Sequence, residues 1–242
     1  MTTYGCTALG PALTTSIQLA SRIRGSKIVL CTDGEANIGL VGPDFYTKAA
    51  DYAKEKGVMV SILSIKGDRC NLKELGKLTL STGGSILKID PTLLGSEFNK
   101  ISKEQVFGTE SNLRIVVNHF FEILHADPNS ISKDRTILTQ DFGNFTADTE
   151  LTFDFRQILN EEAVTKGVSL NILSRKRLPM QVQLTYTNPS GEKFIQVIND
   201  YREVTQDRNQ LLSETNFSLF SSSTLQKVSK LIKEDSLTEA EA

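Results

Sequence analysis

The 242-residue chain is poor in the residues that carry most catalysis and most extracellular stapling. Its three cysteines, Cys6, Cys31 and Cys70, are widely spaced and fit neither a disulfide framework nor a zinc knuckle. Such usage suits a reducing compartment, and the cytoplasm is the expected location. The two histidines, His119 and His125, read as a strand-face residue and a loop residue rather than as catalysts. No Gly-x-x-x-x-Gly-Lys-Ser/Thr phosphate loop occurs, and no carboxylate pair or metal-ligand cluster stands at a convincing spacing. Charge of one sign is also lacking. Lys and Arg number 27 against 29 Asp and Glu, a net charge of −2, which gives no electrostatic reason to expect nucleic acid or an acidic membrane surface. Arg175-Lys176-Arg177 is a basic cluster that reads as a solvated inter-strand loop. No apolar run approaches membrane-spanning length, and no signal peptide opens the chain. Two triplets, Asn144-Phe145-Thr146 and Asn216-Phe217-Ser218, match the glycosylation sequon and would suit secretion, but such triplets arise often by chance.

What is present is an ordinary globular composition, 39% hydrophobic and 23% charged. Residues 1–90 alternate as a parallel α/β sheet does. Leu9, Leu13, Ile17, Ala20 and Ile23 recur at helical spacing, with Thr7 placed to cap and Gly25 to stop. Lys27–Thr32 is a continuous apolar run of strand length, as in a strand covered on both faces, and Cys31 reads as a small buried hydrophobe within it. Pro43 opens a second helix carrying Phe45, Ala49 and Ala53, and Gly57 stops it. Val58–Ile65 is the next strand. Asn71 with Glu74 resembles a capping box ahead of Leu72, Leu75 and Leu78, and Gly83-Gly84 turns the chain into strand Ser85–Ile89.

Beyond Pro91 the character changes. Residues 91–111 are mixed and polar, the expected connection. Leu113, Ile115, Val117, His119, Phe121 and Ile123 alternate with period two, although a helix through Val116, Val117, Phe120, Phe121 and Leu124 fits nearly as well. Leu151–Phe155 and Met180–Tyr186 alternate, and Asn188-Pro189-Ser190-Gly191 is a turn leading into Lys193–Ile198. Short strands punctuated in this way indicate an antiparallel sandwich. Ser221–Lys233 reads as a helix with Leu225, Val228, Leu231 and Ile232 on one stripe, either packed back on the sandwich or opening a longer helical region.

Two short motifs close loops at the same end of the parallel sheet. Gly5-x-Thr7-x-Leu9-x-x-x-Leu13 supplies a hydroxyl, and Cys31-Thr32-Asp33-Gly34 supplies a carboxylate. Both are hard oxygen donors of the kind Mg²⁺ takes. In order and spacing they resemble the second and third parts of the metal site of the von Willebrand factor A (VWA) domain. The first part, Asp-x-Ser-x-Ser, is absent. The resemblance implies a Rossmann-like α/β domain, residues 1–105, whose first strands lie upstream. The strand Lys27–Thr32, central in that family, is expected to lack neighbours on one side. A β-sandwich over 106–215 and a C-terminal helix over 216–242 are expected to follow. A VWA-type sheet running into a sandwich is similar to the COPII inner-coat proteins and to cytosolic protist VWA proteins, some described as circularly permuted Ras proteins.

By that resemblance the complete domain holds Mg²⁺ with Thr7 and Asp33 among its ligands, and an acidic side chain of a partner protein completes the coordination. In this chain the site is incomplete and no metal is expected to stay. Taken singly, Thr7 also reads as a helix N-cap and Asp33-Gly34 as a strand-end turn. A coat-like scaffold working through its surfaces without metal is the alternative function. An enzyme of the haloacid dehalogenase type is disfavoured, because Cys31 stands where its nucleophilic Asp would be.

Overall fold

A computed structural model describes residues 7–32, 38–39, 42–65, 72–124, 126–158, 177–203 and 207–233. Helix α1 (Leu9–Ala20) leads to strand β1 (Lys27–Thr32), then α2 (Pro43–Glu55), β2 (Met59–Ile65), α3 (Leu72–Thr82) and β3 (Ile86–Ile89). A 3₁₀ turn at Pro91–Leu93 runs into α4 (Leu94–Lys103). The strands pair in parallel in the order β1-β2-β3, with Thr32 opposite Ser64 and Ile62 opposite Ile86. The crossovers are helices because parallel neighbours need long connections.

The two faces of this sheet are covered differently. Leu13 and Ile17 of α1, Ala49 and Ala53 of α2, and Leu75 and Leu78 of α3 pack with Val60 and Ile62. Ile101 of α4 packs with Leu63 and Ile89 in a smaller cluster. Covered on both faces, β2 is buried from Met59 through Ser64, which is why its sequence reads as an uninterrupted apolar run. Each large aliphatic side chain so buried contributes about 1.5–3 kcal/mol. The connection expected over 91–111 is therefore largely helix. Leu94, Phe98 and Ile101 make only a narrow apolar stripe, and Asp90 caps the preceding turn by accepting from the Thr92 N–H at 3.1 Å.

The remaining strands are β4 (Val106–Val117), β5 (Phe121–Ile123), β6 (Ile137–Thr146), β7 (Phe155–Gln157), β8 (Arg177–Thr187) and β9 (Lys193–Glu203). They form antiparallel sheets, one in the order β6-β4-β8-β9 and a second of β5 with β7. Helices α5 (Arg208–Glu214) and α6 (Phe217–Lys233) follow. The strand reading of 113–123 holds as far as Val117, after which a turn intervenes. Asn118 accepts from the Phe120 N–H at 3.1 Å, and His119 lies exposed in that turn rather than on a strand face. Leu151–Asp154 is not strand, so only Phe155 of the expected run pairs. Asn188 closes the β8–β9 hairpin by donating to the Glu192 carbonyl at 2.9 Å, with Gly191 at φ +88°. Helix α6 begins four residues earlier than its apolar stripe suggests, because Asn216 accepts from the Ser218 and Leu219 N–H groups.

The chain divides into two compact units. The first comprises residues 1–112, 141–149 and 184–195; the second comprises 113–140, 150–183 and 196–242. Residues 1–105 fall wholly within the first. There Gly83 is required twice over: its φ is +73°, and a Cβ would stand 1.8 Å from the Asn144 carbonyl oxygen. Asn144, fully buried, donates to the Thr82 carbonyl at 2.8 Å.

Candidate functional site

Parallel strands present their carboxyl ends at one edge, and in open α/β sheets that edge is where ligands bind. Here it carries Thr32, Ile65 and Ile89. Helix α1 reaches the same edge. Its 12 residues span about 18 Å, close to the roughly 20 Å of six-residue β1, and a short turn joins the two. Thr7 therefore lies near the level of Thr32. A close approach lies at this level: a Cβ on Gly39, beyond β1, would stand 3.4 Å from Pro11 Cδ in the first turn of α1. Gly39 thus lies against the first turn of the helix that Thr7 precedes.

Thr7 is exposed, and it does not serve as the cap expected of it. Ala8 is the N-cap of α1, with no side-chain cap bond, and the first turn holds no acidic residue. The positive end of the helix dipole at this edge favours a negative group. Asp33, with Gly34, lies outside the described residues, as do Asn71 and His125.

Ser64 is the residue that sequence reasoning missed. It is fully buried near the end of β2, and among the described residues its hydroxyl has no hydrogen-bond partner. An orphaned buried hydroxyl is uncommon and calls for an explanation. The signal was a serine inside the apolar run 58–65. Ser61 gives the same signal, yet its hydroxyl accepts from the Ser85 N–H at 3.3 Å. Among the described residues no three His, Cys, Asp or Glu side chains gather as metal ligands. Hydroxyls alone do not make a divalent site, since Mg²⁺ and Ca²⁺ take carboxylate oxygens as well.

Cys31 is exposed, against the expectation that it is buried. Its strand is outermost in the three-stranded sheet and has β2 as its one neighbour among the described residues. Partial burial still raises its thiol pKa, which disfavours the nucleophilic thiolate. His119 belongs to the second unit and Cys31 to the first. A shallow cleft lined by Asp51, Lys54, Glu55, Glu110 and Asp141 is the other concentration of charge. Burial pushes the Glu110 carboxyl up, but the Thr187 hydroxyl at 2.9 Å and the Arg24 guanidinium at 3.2 Å outweigh it and hold the pKa low. That carboxylate is engaged in structure. Arg177 pairs with Glu203 at 2.7 Å on neighbouring strands, while Arg175 and Lys176 lie outside the described residues.

Over 94% of its length the chain superposes on a von Willebrand factor type A protein from Catenulispora acidiphila, with a TM-score of 0.56 and 16% identity, covering 54% of that chain. The fold is VWA-like. The human COPII-coat protein Sec24c gives the same TM-score at 14% identity, over 84% of this chain and 30% of its own. In sequence the chain is 28% identical over 243 residues to Circularly permutated Ras protein 1 of Dictyostelium discoideum. That alignment covers 97% of this chain and 27% of the relative, so the chain spans about a quarter of the relative's length. No family model matches.

Proposed function

We propose that this chain is a non-enzymatic protein-interaction module of VWA type that works at the carboxyl edge of its parallel sheet. The observation that supports this reading is the approach of Gly39, beyond β1, to Pro11 in the first turn of α1. Thr7 and Asp33 are two ligands of a Mg²⁺ site completed by an Asp-x-Ser-x-Ser loop that this chain does not contain. In the complete domain the bound cation, with the positive end of α1, attracts an acidic side chain of a partner protein. The three dispersed cysteines favour a cytoplasmic setting. Among the described residues no helix is long and apolar enough to cross a membrane.

Titration calorimetry tests the reading. The 242-residue chain should bind Mg²⁺ or Mn²⁺ no more tightly than about the millimolar range, for want of ligands. A chain extended to include Asp-x-Ser-x-Ser should bind more tightly, and Asp33→Ala should abolish the gain. Micromolar binding by the short chain would overturn the incomplete site. The likeness to a coat protein supports a second reading, a scaffold that assembles through its sheets without metal. It predicts partner capture that chelator leaves untouched.

A further inference from the structure

Among the described residues strand β9 is the outermost strand of its sheet, and on it lies an exposed apolar surface. Phe194, Ile195, Val197, Ile198 and Tyr201 are between 44% and 64% exposed, and they occupy both faces. An edge of 11 residues with this much apolar surface is what proteins ordinarily shorten, charge or cover.

The pairing with β8 fixes which backbone groups the open edge offers. Tyr186 stacks on Phe194 at 5.5 Å, Gln181 donates to Asn199 at 2.7 Å and Arg177 pairs with Glu203, all in one unbroken register. The Asn188 N–H bond to the Glu192 carbonyl sets the phase of that ladder. Even-numbered residues of β9 therefore bond to β8. The N–H and C=O groups of Lys193, Ile195, Val197, Asn199, Tyr201 and Glu203 point outward.

We propose that this edge pairs antiparallel with β9 of a second copy of the chain, about a two-fold axis at Ile198. The sequence of the strand is complementary to itself in that register. Lys193 faces Glu203, Ile195 faces Tyr201 and Val197 faces Asn199, and these are the residues whose backbone groups point outward. On the other face Phe194 meets Arg202, Gln196 meets Asp200, and Ile198 meets its own copy. Opposite charges at the ends, an aromatic against a β-branched residue and an aromatic against a guanidinium are all favourable cross-strand pairs. A shift of the two-fold by half a residue sets outward groups opposite groups bonded to β8, and a shift by one residue sets Lys193 opposite Tyr201 and loses the charge match. The arrangement is isologous and stops at a dimer.

Sedimentation velocity of the full chain over a roughly hundredfold concentration range tests this. The expected result is a species of twice the 26.7 kDa chain mass that grows with concentration. Val197→Pro removes an outward N–H and leaves the bonds to β8, so it should give monomer with an unchanged unfolding midpoint. Lys193→Glu and Glu203→Lys each set like charges opposite one another at both ends and should weaken the dimer about tenfold. Mixing those two variants places Glu against Lys at both ends and should restore a heterodimer as tight as wild type. A wild-type chain that stays monomeric would assign the edge to some other strand and overturn the proposal. So would dimerisation of Val197→Pro, or a mixture as weak as its components.

Discussion

Asn144 links β6 to the C-terminal turn of α3, and its substitution leaves the buried Thr82 carbonyl without its donor. Asn144→Ala should cost about 1–3 kcal/mol in urea unfolding, moderated because the orphaned Oδ1 goes with it. Gly83→Ala should cost more, about 3 kcal/mol or above, since the left-handed backbone and a carbonyl oxygen both oppose a Cβ. Neither role could be read from sequence: Asn144 stood out only as a sequon, and its partner is 62 residues away. As an acceptor of sugar the folded side chain is inaccessible, whereas Asn216 is exposed. Cys31 shows the opposite failure. An apolar run is legible as a strand, but whether both its edges are paired depends on neighbours the run does not name.

Helices α1, α2 and α3 were legible because each buries a broad stripe at three- and four-residue spacing, closed by glycine or opened by proline. Helix α4 was not, because it buries one residue, Ile101, and its turn signal Asp90-Pro91 reads as easily as a loop. Its energetic part is nonetheless definite. Ile101→Ala should lower stability by roughly 2–4 kcal/mol, while Asp90→Ala should cost about 1 kcal/mol, each measured by thermal or urea unfolding. Strand β6 and helix α5 escaped notice for a related reason. The β6 sequence places Gln140, Asp141 and Gly143 where alternation would want a regular pattern. At the candidate site the motif singles out Thr7 from sequence, but the orphaned Ser64 hydroxyl required the packing.

Across the molecule, acid should act through carboxylates that the fold keeps ionised. Glu110 and Asp134 both titrate below their ordinary range, Asp134 chiefly because the Ser132 hydroxyl donates to it, with Thr136 adding its own bonds. A depressed folded pKa contributes stability above the unfolded value and loses it as pH falls through the folded one. Stability should therefore be level above about pH 5 and decline below about pH 4, less steeply in Glu110→Gln. Truncation gives a separate test. Residues 1–105 lack the 141–149 segment that clamps Thr82 and Gly83, and the Thr109 side chain that packs against Gly57. Expressed alone, that fragment should be trypsin-sensitive or insoluble, and cooperative unfolding of it would show the clamp to be dispensable.

The same discontinuity has a kinetic consequence on the ribosome. The first unit takes residues 141–149 and 184–195 into the packing of residues 1–112. It cannot close until Ile195 has left the exit tunnel. At roughly 5–20 residues per second, the stretch from Asn112 to Ile195 takes on the order of 4–17 seconds to emerge. In the first part of that interval the α3 turn stands without Asn144, its later partner. Nascent chains arrested with Asp141 still inside the tunnel and with Ile195 wholly outside it should then show a protease-labile and a protease-resistant first unit respectively.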